Sequence, residues 1–113
     1  AKNNEFVYEL LAHLKVTENI FNEDSPKALR VLMQLAIFLV LYKVSDAHPL
    51  YIKLKLNLLK SIVLTGGITK VLTFDEATDI ISFFYKKILN SDIYPSIIMD
   101  YDYDIWTLGI TQQ

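Results

Sequence analysis

Apolar positions recur with a helical period in four stretches of the chain. Phe6, Leu10 and Leu14 repeat every four residues, with Val7 and Leu11 in the adjacent row. That is the stripe of one helix face. It predicts a first helix over residues 4–15, with an extension toward Phe21. NEDSP interrupts the pattern: Ser25 suits an N-cap and Pro26 the first helical position, where a missing N–H costs nothing. A second helix is expected from there to about Val44. SDAHP is the next break, and Pro49 starts a third helix. Leu50, Leu54, Leu58 and Ile62 form one stripe of it, and Ile52, Leu56, Leu59 and Val63 another. Gly66 and Gly67 are expected to end it, because glycine takes the left-handed conformation without strain. TFDE, Thr73 to Glu76, has the form of a capping box. Ile80, Phe84 and Ile88 follow at steps of four, so a fourth helix is expected over residues 74–90.

Short links between four such segments predict an all-α fold, an antiparallel up-down four-helix bundle over residues 1–90. The pattern stops after Asn90, and Pro95 blocks its continuation. Residues 91–113 are expected to form an irregular acidic, aromatic tail, packed on the bundle or extending from it. ITKVLTF, Ile68 to Phe74, has the β-branched content of a short strand but shows no convincing partner.

Composition narrows the class. The chain has 113 residues, 52% hydrophobic and 21% charged, with a formal net charge of −2. It is long enough for one core, and its charge argues against a nucleic-acid partner. There is no cysteine, which excludes disulfides and thiolate metal sites and suits a reducing compartment. AKNNEFVYEL places charges where a signal peptide needs an apolar run, so no secretion signal is expected. The run VLMQLAIFLVLY, between Arg30 and Lys43, is shorter than the ~20 residues that span a bilayer. It is read as a largely buried helix.

Charge is segregated. All eleven basic residues precede Ser91, whereas the tail carries Asp92, Asp100, Asp102 and Asp104. From Ala47 to Phe74 the only charges are Lys53, Lys55, Lys60 and Lys70. Asp100, Asp102 and Asp104 match the first positions of a calcium loop, but Ile105 stands where that loop needs glycine and Thr111 where it needs a bidentate glutamate. His13 and His48 have no second ligand at helical spacing. Asp75 and Glu76 are explained by capping. No metal, no cofactor and no catalytic residue is expected, and the chain reads as a non-enzyme. The tail reads as a contact surface: Tyr94, Tyr101, Tyr103 and Trp106 supply large rigid anchors. Asp100, Asp102 and Asp104 set charge preference around them. Lys53, Lys55 and Lys60 are candidates for contact with a membrane or with the tail.

Three segments, FVYELLAHL, HPLYIKLKLNLL and VLTFDEATDIISFF, resemble in order and spacing the immunity proteins of pediocin-like, class IIa bacteriocins. The resemblance implies a four-helix bundle in the cytoplasm, with membrane association. The implied partner is the membrane mannose phosphotransferase permease once a bacteriocin has engaged it. It also implies that residues 94–108 and the fourth helix carry recognition. The chain would be a monomer or weak dimer. The alternative is a helical interaction module of viral or phage origin that grips a host protein.

Overall fold

The computed structural model describes residues 5–16, 26–47 and 49–101. In chain order it runs α1 (Glu5–His13), α2 (Pro26–Ala47), α3 (Pro49–Leu58), β1 (Ser61–Thr65), α4 (Ile68–Val71), α5 (Phe74–Lys87) and β2 (Ser96–Asp100). The chain is mostly helical but not all-α, and it is not a four-helix bundle: β1 and β2 form a two-stranded parallel sheet. The register pairs Ser61 with Ser96 and runs to Thr65 with Asp100. A parallel pair requires a crossover of a dozen residues or more; here α4 and α5 supply it. The fold implied by the bacteriocin-immunity resemblance is therefore not the fold found.

The difference has a local cause. The third helix, expected to continue to the glycines, stops at Leu58. The next residues include Ile62, Val63 and Thr65, whose β-branched side chains lose rotamer freedom in a helix and fit a strand. Their backbone groups find partners in Ser96–Asp100, which lies in the stretch expected to be irregular. The amide N–H of Ser96 also donates to the carbonyl of Lys60 at 3.0 Å. Gly66, at φ +82°, turns the chain out of β1. The β-branched segment Ile68–Phe74 is not a strand; it forms α4, the cap of α5 and its first residue.

Helix ends follow side-chain chemistry. Thr73 Oγ1 accepts from the Glu76 N–H at 3.1 Å, and Glu76 Oε1 accepts from the Thr73 N–H at 2.9 Å. This completes the capping box and starts α5 at Phe74. Asn90, at φ 54°, leads the chain away from its end, and the Ser91 N–H donates to the Tyr85 carbonyl at 3.0 Å. α1 closes through Lys15 at φ 57°. The Val16 N–H there reaches the Leu11 carbonyl at 3.0 Å, and the Lys15 N–H reaches that of Ala12 at 3.1 Å. The pair of bonds is a Schellman closure. The expected extension of the first helix toward Phe21, and the cap at Ser25, lie outside the described residues.

The core lies mainly between α2 and α5. Phe38, Ala77, Ile80, Ile81 and Phe84 are fully buried. Phe38 meets Phe84 edge-on at 5.5 Å, and Phe6 of α1 covers it at 5.4 Å. Buried Gln34 donates to the carbonyl of Glu76 at 3.0 Å, so the polar residue in this interface is paired. Arg30 Nε meets Glu76 Oε2 at 3.1 Å and links the same two helices.

Candidate functional site

α3 is held on the body along one side and bare on the other. Leu56 is buried, and its carbonyl accepts a 2.7 Å bond from the Tyr85 hydroxyl. On the opposite side Leu50 is 91% exposed, Leu54 60% and Leu58 67%. The three leucines fall at steps of four, so they form one stripe. The sequence pattern does not say which way that stripe faces; the structure turns it to solvent. Tyr51 is exposed beside it. At 3.6 residues per turn, Lys53 and Lys55 fall on its two sides. The Lys55 ammonium lies 5.4 Å from the centre of the Tyr51 ring. Lys55 and Lys60 are exposed and Lys53 is half-buried.

α2 adds a second apolar surface. Its 22 residues are long and apolar enough to cross a membrane by length and composition, unlike the shorter run expected from sequence. Val31, Gln34, Ile37 and Phe38 nevertheless face the core. Leu29, Leu32, Leu39, Val40 and Val44 remain exposed on the outer face. Contiguous apolar exposure of this kind marks contact sites in folded proteins.

The residues assigned to recognition divide. Tyr94 and Tyr101 are exposed. Asp100 is buried, and its Oδ2 accepts from Thr65 Oγ1 at 3.3 Å across the strand pair. Asp102, Tyr103, Asp104 and Trp106 lie outside the described residues. Tyr94 lines a depression of about 310 Å³ at the end of α5, with His13, Ser82, Phe83, Lys86 and Ser91 among its walls. His13 Nε2 sits 2.7 Å from Asp79 Oδ2, and its ring stacks on Phe83 at 4.4 Å. Lys87 pairs with Glu9. The His13–Asp79 contact joins residues far apart in sequence and left no signal in spacing. Burial raises the pKa of the Tyr85 hydroxyl above its ordinary value of 10.0. Among the described residues no group of three histidine, cysteine, aspartate or glutamate side chains is placed to hold a metal ion.

Comparison with protein-family models, with curated proteins and with solved structures returns no match to this chain.

Proposed function

We propose that this protein works by surface contact rather than catalysis, and that α3 lays its leucine stripe on an anionic membrane surface. The observation that carries the reading is the exposure of Leu50, Leu54 and Leu58 on a helix flanked by lysines. An interfacial helix needs an apolar face that enters the headgroup boundary and cations that stay at it. Leucine supplies the first. Lysine supplies the second through a long stem that keeps its charge in water. Tyr51 is of the type enriched at membrane–water interfaces. The stretch from Ala47 to Phe74 carries four lysines and no acid, so nothing on it opposes attraction to anionic lipid.

The test is co-sedimentation with vesicles of zwitterionic lipid and of the same lipid mixed with an anionic one. Binding to the anionic vesicles, weakened as salt shortens the Debye length from ~10 Å at 0.1 M toward ~3 Å at 1 M, is expected. Absence of binding to both removes the proposal.

Bacteriocin immunity is a finer form of the same reading, since it too operates at a membrane. Its support is that α1, α3 and α5 occupy the three segments on which the resemblance rests; the bundle it implied is not found. Expression in a sensitive Gram-positive strain, challenged with class IIa bacteriocins, tests it. Resistance supports it. Full sensitivity with folded protein present removes it and leaves the membrane contact to be judged on the vesicles.

A further inference from the structure

The outer face of α2 carries a spacing that the core does not use. Leu29, Leu32, Ala36 and Leu39 follow one another at steps of three, four and three, and Lys43 comes four residues later. All five are exposed. Gln34 lies two residues, a little over half a turn, from both Leu32 and Ala36. It is buried, with its amide bonded to the carbonyl of Glu76. The row therefore runs along the side of α2 away from the core. A surface helix ordinarily shows charged and polar residues on that side. Apolar residues at alternating steps of three and four repeat on average every 3.5 residues, the period by which one helix packs along another.

The row closes on a second copy of itself. When two such helices lie side by side in opposite directions, Leu29 meets the partner's Leu39 and Leu32 meets the partner's Ala36. A two-fold axis repeats both pairs, as an isologous contact requires. All four layers are then apolar, and each Leu32 finds room against an alanine. Lys43 falls beyond the last layer, past the point where the partner's α2 begins, and keeps its charge in water. Helices running in the same direction would instead set the two Lys43 side chains against each other in one layer. The charge at Lys43 thus selects the antiparallel arrangement. The layers from Leu29 to Leu39 cover about 15 Å of helix. A contact this short belongs with weak, exchanging interfaces.

We propose that the outer face of α2 is the seam of a weak antiparallel homodimer, with its two-fold axis between Leu32 and Ala36. The seam uses no residue of the leucine stripe on α3, so the inference does not rest on membrane contact by that helix.

Sedimentation equilibrium of the full chain, without lipid, is expected to give a mass that rises with concentration toward twice that of one chain. Leu32→Glu and Leu39→Glu, both at exposed positions, are expected to stay monomeric with unchanged far-UV circular dichroism. Leu54→Glu on α3 is expected to dimerise like the unsubstituted chain. The chain has no cysteine, so introduced thiols report the direction of the helices. A disulfide needs Cα atoms within about 7 Å of each other. An equal mixture of Leu29→Cys and Leu39→Cys is therefore expected to form the mixed disulfide on mild oxidation, and neither variant alone to link to itself. A monomer at the highest soluble concentration overturns the proposal and leaves the α2 face to another partner, lipid included. So does dimerisation that both α2 variants keep, or that Leu54→Glu alone abolishes, because the contact then lies elsewhere. Self-linking by Leu29→Cys alone overturns the antiparallel arrangement.

Discussion

The hydroxyl of Tyr85 donates a 2.7 Å hydrogen bond to the carbonyl of Leu56, and Tyr85 is 1% exposed. One buried bond thus ties α5 to the inner side of α3, while the outer side of α3 stays bare. Tyr85→Phe keeps the ring but leaves the Leu56 carbonyl without its donor. A loss of about 1–3 kcal/mol in urea unfolding is expected, the range for an orphaned buried partner.

The same residue sets an alkaline dependence. Burial raises its folded pKa above 10.0, so the folded state holds the proton after the unfolded state has released it. Its contribution is complete below pH 10 and falls as pH rises beyond that, through the folded pKa. Unfolding measured from pH 8 upward should lose stability more steeply in the native chain than in Tyr85→Phe, and the two curves should run parallel below pH 10.

The capping box gives a prediction of ordinary size. Thr73→Ala removes the acceptor of the Glu76 N–H and is expected to lower stability by about 1 kcal/mol. The urea midpoint should fall with the slope unchanged. Glu76→Ala should cost more than a lost cap alone, because Glu76 also meets Arg30 of α2.

Lys15 holds the left-handed residue of the closure of α1, a position glycine occupies without strain. A non-glycine residue there costs about 1–2 kcal/mol, and glycine returns roughly 0.5–1 kcal/mol of that as unfolded-state entropy. Lys15→Gly is therefore expected to stabilise the protein by up to about 1 kcal/mol. Thermal unfolding checks the sign.

Lysines near an anionic leaflet contribute about 1 kcal/mol each. Replacing Lys53, Lys55 and Lys60 together by Gln is expected to weaken partition to anionic vesicles by on the order of a hundredfold. Partition to zwitterionic vesicles should hardly change. Titration of lipid into protein, followed by sedimentation, reads both.

Local chemistry was legible before the fold was. Thr73 and Glu76 announce the start of α5 because a capping box is complete within four residues. Pro26 and Pro49 mark the starts of α2 and α3 for a similar reason. The sheet was not legible. Ser61–Thr65 and Ser96–Asp100 are separated by the whole of α4 and α5, and each is too short to show a period against the helix before it. Nor does a leucine stripe say which way it faces. Leu54 and Leu56 look alike in the sequence, yet Leu56 is buried and Leu54 is exposed. Asp100 reads as a contact residue because it belongs to the DYDYD run, yet strand pairing puts it against Thr65.

The central claim is that α3 is the membrane-facing surface, and a paired comparison tests it most directly. Leu54→Glu with Leu58→Glu places two charges on the stripe at positions already exposed. Tyr8→Glu places one at an exposed site on α1 instead. Anionic-vesicle binding should be lost in the first variant and kept in the second, with the circular dichroism of both unchanged. Equal binding by the two variants would contradict the assignment of α3.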